Sequence, residues 1–159
     1  MEKQELYNAY AECEEYNCFG CSPKNQYGLK CKFVDEGEYV SCRWQPSEHY
    51  QGFFNVLHGG VQATLIDEIA CWAIFAHAKT VGVTTEMKVK YRKTVRTDGG
   101  EISLRAKLTD ITRRLVTVHV ELFNEKNELA VEADVVYMIF PEEMAKKKMN
   151  WPGAEAFYK

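Results

Sequence analysis

No run of about eighteen uncharged apolar residues occurs in this 159-residue sequence, so none of its helices is expected to cross a bilayer. The opening stretch, "MEKQELYNAY", lacks the apolar core of a secretion signal. Charge of one sign is not in excess either. Twenty Lys and Arg stand against 23 Asp and Glu, a net charge of -3, which gives no reason to expect nucleic acid as the main partner. A cytoplasmic protein with no membrane partner is the expectation. Motifs for several chemistries are missing too: there is no G-x-S-x-G, no Walker loop and no dinucleotide fingerprint. His49, His77 and His119 have no metal-ligand spacing to a carboxylate cluster, which argues against a zinc hydrolase.

Six cysteines are present: Cys13, Cys18, Cys21, Cys31, Cys42 and Cys71. Without a secretion signal a disulfide framework is not expected. "CEEYNCFGC" contains a C-x2-C pair, but no second pair follows and the spacing to Cys31 is irregular. Plain thiols are therefore favoured over structural zinc, and neither a metal nor a cofactor is expected. A redox C-x2-C needs a helix start after a strand, whereas "CFGCSPKNQYGL" reads as turns.

What the sequence does have is a change of period. Length and the 46% of apolar residues suit one core. Residues 1–16 read as a partly helical lead-in and 17–28 as turns. "GLKCKF" and "GEYVSCRW" read as short strands. After residue 80 the period is two. "TTEMKVKYRKTV" sets Met87, Val89 and Tyr91 against Lys88, Lys90 and Arg92, and "EISLRAKLTDI", "RRLVTVHVELF" and "LAVEADVVYMIF" repeat the alternation. In the last of these Leu129, Val131, Ala133, Val135 and Tyr137 face inward. "NEKNE" is a hairpin turn, Pro141 ends the last strand, and the tail is expected to form a short surface helix and then fray. One domain over residues 1–159 is expected, with a lead-in at 1–26 and a tail at 141–159.

Between these parts lies "NVLHGGVQATLIDEIACWAIFAHA", residues 55–78. Its helix is apolar nearly all round, so it must be surrounded, and a curved sheet wrapped around it does this. The open side of the helix and the sheet edges then call for a partner subunit. Gly59 and Gly60 stand at the helix start, whose N–H groups lack internal partners and favour an oxyanion. Asp67 lies about 12 Å further along the axis. One small reacting group cannot touch both within one helix, whereas two antiparallel helices across a twofold axis bring them together. Asp67 has a catalytic and a structural reading, and so does Glu68, which points about 100° away on the helix. His58 either contacts substrate or caps the loop.

On "HGGVQATLIDE", "GVTTEMKVKYRKTV", "AVEADVVYMIF" and the lead-in "NCFGCSPKNQYGL", residues 17–140 resemble the hotdog-fold acyl-coenzyme A thioesterases, in the branch of the phenylacetate-pathway thioesterase. The resemblance implies an α+β hotdog fold, a curved antiparallel sheet around one long helix. It implies hydrolysis of acyl-coenzyme A to free acid and coenzyme A. Asp67 would be general base or nucleophile, Gly59 of the neighbouring protomer the oxyanion donor, His58 the support of that loop, and Thr84 a hydroxyl holding the carboxylate or the lytic water. The assembly would be a homodimer with shared sites, or a dimer of dimers. Given a coenzyme A substrate, Lys90, Arg92, Lys93, Arg113 and Arg114 are candidate phosphate contacts, and Phe53, Phe54 and Trp72 candidate acyl-pocket residues. Relatives carry Asn or Gln six residues before the histidine, where this chain has Gly52. That departure keeps a non-catalytic acyl-coenzyme A binding module as the alternative.

Overall fold

A computed structural model describes residues 2–159. Its main sheet has seven strands in the order β1-β2-β3-β7-β8-β9-β6, all neighbours antiparallel. The strands are β1 (Gln4–Glu5), β2 (Phe33–Asp35), β3 (Val40–Trp44), β6 (Gly82–Tyr91), β7 (Ile102–Thr112), β8 (Leu115–Phe123) and β9 (Leu129–Ile139). A separate small hairpin, β4 (Gln51–Phe53) and β5 (Val56–Leu57), leads into the helix α1 (Gly59–Ala73). A single π-helical turn, Ile74–Ala78, extends α1, and Lys79 ends it in the left-handed conformation at φ 56°.

The alternation read from the sequence places the core. On β7, β8 and β9, Ile102, Leu104, Ala106, Val116, Val118, Val120, Val131 and Val135 are all buried. The helix lays Leu65, Ile66, Ile69, Ala70 and Ala73 onto that face, each at most 2% exposed. Burying each Leu or Ile contributes about 1.5–3 kcal/mol, so the helix is held by packing rather than by its own turns. The result is the hotdog arrangement: a curved antiparallel sheet around one central helix. Among the described residues no helix is long and apolar enough to cross a membrane.

Two expectations fail. The lead-in is not helical: residues 9–15 are turns, and Gln4–Glu5 pair with β2. The tail forms its helix, α2 (Glu142–Met149), but does not fray. Trp151 and Phe157 are buried, and their rings stack at 5.4 Å within a cluster that includes Trp72 and Phe75. Two large aromatic side chains bury enough surface to overcome the entropy of a terminus.

β6 is the outer strand on one side of the sheet. Its ten residues are largely exposed, Val83 and Tyr91 among them. The inward positions expected there are only half covered, Met87 and Val89 partly buried and Tyr91 exposed. An edge strand has a second strand on one flank only, so its face is incompletely roofed.

Candidate active site at the central helix

The start of α1 is assembled around His58. Its Nδ1 accepts the Gly60 N–H at 2.9 Å, and its main-chain N–H donates to the Tyr50 oxygen at 2.9 Å. His58 thus caps the helix and is tied to the segment before β4. Two glycines make room for it. A Cβ on Gly52 would lie 2.9 Å from His58 Cα, and one on Gly60 3.1 Å from its ring. Gly52 therefore stands where a side chain would press on His58.

Gly59 differs from both. A Cβ there would meet only the Tyr91 ring at 3.7 Å, an ordinary contact. The protomer itself does not demand glycine at this position. Tyr91 donates its hydroxyl to the Gly59 oxygen at 2.7 Å, fixing the peptide from β6. The Gly59 N–H, at the first helical position, has no acceptor within the helix.

Two turns further on, Asp67 receives two hydroxyls on one oxygen. Thr84 donates to Oδ1 at 2.7 Å and Tyr137 at 2.6 Å. Thr84 and Tyr137 are paired directly across β6 and β9, and the β6 register shifts between Thr84 and Glu86. That bulge separates the roles of neighbouring threonines, since Thr85 turns away and donates to the Val136 oxygen at 3.0 Å. Burial pushes the Tyr137 phenol up, with the charges of Cys71 and Asp67 adding to it, so Tyr137 stays protonated and remains a donor. Asp67 Oδ2 has no hydrogen-bond partner among the described residues. A carboxylate anchored by one oxygen with the other unengaged is suited to take a proton from water or to attack a carbonyl.

Tyr137 and Tyr91 were not among the residues singled out from sequence. Tyr137 did carry a signal, because a tyrosine at an inward strand position needs a partner for its hydroxyl. Tyr91 carried none, since its partner is a main-chain oxygen of another element.

Glu68 faces the other way, under the lead-in loop. Cys18 Sγ donates to its Oε1 at 3.5 Å and Trp72 Nε1 at 3.3 Å. Burial, reinforced by the neighbouring Cys18, pushes its carboxyl up to about 7. Trp72, 2% exposed, packs in the aromatic core and borders a cleft of about 550 Å³ under the lead-in, whereas Phe53 and Phe54 are exposed at the hairpin tip.

The five candidate cations fall into two groups. Lys90, Arg92 and Lys93 lie at the far end of β6, where Tyr91 pairs with Val131. There Arg92 pairs with Glu132 at 2.9 Å and Lys93 with Glu128 at 2.7 Å. Arg113 and Arg114 form the β7–β8 turn at the opposite end, where the Ile139 N–H donates to the Arg114 oxygen. Among the described residues, Lys90, Arg113 and Arg114 make no ion pair. Two clefts of about 550 and 450 Å³ lie under the lead-in, and neither is lined by Asp67 or Gly59.

Residues 54–131 match the family model described as the thioesterase superfamily. The match runs from within the hairpin across the central helix and most of the sheet of a chain whose fold is the hotdog fold. Among solved structures, one thioesterase superfamily protein superposes with a TM-score of 0.69 at 19% identity, over 76% of this chain. This chain spans 59% of that protein's length. Zebra fish thioesterase superfamily member 2 gives 0.61 at 24% identity, over 69% of this chain and 81% of its own. A Streptococcus mutans protein solved bound to acetyl CoA gives 0.64 at 16% identity, over 82% of this chain and 98% of its own. At these identities the likeness is one of fold. No curated protein sequence matches the chain.

Proposed function

We propose that this hotdog-fold protein hydrolyses acyl-coenzyme A thioesters, at sites formed between two protomers. The observation that carries the reading is the state of Asp67: one oxygen held by Thr84 and Tyr137, the other unengaged. Within one helix Gly59 and Asp67 remain about 12 Å apart, too far for one carbonyl group. A second protomer set antiparallel along α1 supplies the missing partner twice over. The exposed edge of β6 and the exposed Phe53 and Phe54 give such a partner an apolar seat. The motifs "HGGVQATLIDE" and "NCFGCSPKNQYGL" support a place in the phenylacetate-type branch.

In this mechanism the Gly59 N–H of one protomer receives the thioester carbonyl, and Asp67 of the other acts through Oδ2. Charge that develops on the carbonyl oxygen meets a fixed donor, worth about 3 kcal/mol in similar sites. Asp67 acts as base toward water or as nucleophile toward the carbonyl carbon. Label found in the Asp67 carboxyl after single turnover in heavy-oxygen water identifies the nucleophilic route with water cleaving the anhydride at the Asp67 carbon, because the base route leaves all label in the product acid. Lys90, Arg113 and Arg114 are the stronger candidates for the coenzyme A phosphates, since Arg92 and Lys93 already pair with carboxylates.

The test is thiol release from a panel of acyl-coenzyme A esters, with Asp67→Asn alongside. Turnover that survives the substitution rejects the mechanism. Tight coenzyme A binding without turnover on any ester supports the binding module, the reading that Gly52 favours because no polar side chain reaches the carbonyl from that position.

A further inference from the structure

The lead-in loop brings a second chemical group to the central helix, on the side away from Asp67. One ligand atom from each of Cys18, Cys21 and Glu68 lies within 4.8 Å of the others. From sequence the C-x2-C pair lacked further ligands, because a second pair was sought nearby in the chain. The third ligand comes instead from α1.

The loop is built around this point. A Cβ on Gly20, between the two cysteines, would lie 2.4 Å from the Glu68 Cδ and Oε2, so the loop closes onto the carboxylate with no side chain between. The Cys18 oxygen accepts the Ser22 N–H at 3.1 Å, the Gly20 oxygen the Cys31 N–H at 2.9 Å and the Cys21 oxygen the Asn8 side-chain amide at 3.2 Å, which fixes both cysteines in position. Donors surround the ligand atoms. The Tyr16 hydroxyl lies 2.9 Å from Cys21 Sγ, Asn8 Nδ2 donates to the same sulfur at 3.6 Å, and Trp72 Nε1 donates to Glu68. Outer partners of this kind orient metal ligands and relieve their excess negative charge.

We propose that Cys18, Cys21 and Glu68 hold one zinc ion. Two thiolates and a carboxylate are a donor set suited to a borderline-soft divalent metal, and hard cations such as magnesium or calcium prefer oxygen alone. All three residues border the cleft of about 450 Å³, so the fourth position of a tetrahedral ion opens onto solvent and takes water. The ion pins the lead-in to α1 one residue from Asp67. It stands apart from the proposed thioester chemistry and does not depend on it.

The test uses the full chain, purified under reducing conditions without chelator. The expected result is one equivalent of zinc per chain by elemental analysis. After stripping, titration of the reduced protein with Co2+ gives the near-ultraviolet sulfur-to-cobalt band, saturating at one equivalent. Cys18→Ser and Cys21→Ser abolish the band, and Glu68→Gln weakens binding by at least about tenfold. Tyr16→Phe, which removes no ligand, also weakens it, and Cys13→Ser, outside the cluster, leaves it unchanged. The proposal is overturned if the reduced wild-type chain neither carries zinc nor develops the band, or if the band persists in the Cys18 and Cys21 variants. A Cys18–Cys21 disulfide whose reduction brings no metal uptake overturns it equally.

Discussion

The phenolic oxygen of Tyr137 lies 2.6 Å from Asp67 Oδ1 and 2.8 Å from the Asp67 main-chain oxygen. One side chain of the sheet therefore holds both the carboxylate and the helix turn that carries it. With Thr84 on the same Oδ1, that oxygen is held twice and Oδ2 is left unengaged.

Asp67→Asn is expected to lower kcat/KM for acyl-coenzyme A by about a hundredfold to ten-thousandfold, the range for loss of a general base, with little change in melting temperature. Tyr137→Phe is expected to cost about 1 kcal/mol of stability and to reduce kcat while KM stays near wild type. Steady-state kinetics and thermal melts check both. A Tyr137→Phe enzyme with unaltered kcat would remove the positioning role.

Gly59→Ala is expected to fold normally, because the new Cβ meets only the Tyr91 ring at 3.7 Å, yet to lose most activity where the substrate carbonyl must approach the backbone. Mixing it with Asp67→Asn by co-refolding gives hybrids with one intact site in two. Half of the dimers are hybrids, so roughly a quarter of wild-type activity should return. No recovery above the two parents would show that each site belongs to a single protomer.

Asp35 ties the edge of the sheet to the end of the helix and to the tail. Its carboxylate lies 3.0 Å from His77 Nε2 and 2.7 Å from the Tyr158 hydroxyl, and it accepts the Gly37 N–H at 2.9 Å. Burial alone pushes the carboxyl up, but these hydrogen bonds outweigh it and hold the carboxyl below its ordinary value. Its folded value is thus below the unfolded one. The stabilisation is complete above the unfolded value of about 3.9 and is lost as pH falls through the folded value. Asp35→Asn should flatten the acid side of the stability curve, as read by urea unfolding at a series of pH values.

Phe157→Ala is expected to destabilise the chain by about 3–5 kcal/mol, although only two residues follow it. Its ring contacts Tyr10, Trp72, Phe75 and Trp151, so the loss opens a cavity between tail, lead-in and helix. Thermal or denaturant unfolding reads the effect, and a change under about 1 kcal/mol would mean that the tail is held elsewhere.

Much of this architecture was legible in residue order. Period-two alternation marked β7 to β9, and the uniformly apolar stretch after His58 marked the central helix, because both patterns arise from local backbone geometry meeting one core. The lead-in and tail were misread for a related reason. Tyr10, Trp151 and Phe157 have no periodic neighbours, and they meet one another and Phe75 across long stretches of chain.

The sequence by itself determined the strand and helix periods, and it confined a carboxylate and a pair of glycines to one apolar helix at a spacing too long for one substrate carbonyl. Only the tertiary structure decided which groups face them. The bulge in β6 aims Thr84 rather than Thr85 at Asp67, β9 delivers Tyr137 to the same oxygen, and a loop far upstream sets Cys18 and Cys21 against Glu68. The physical reason is that periodicity encodes which face of an element is buried, whereas a hydrogen bond or a ligand cluster depends on distances between elements, which are set when the sheet curls around the helix.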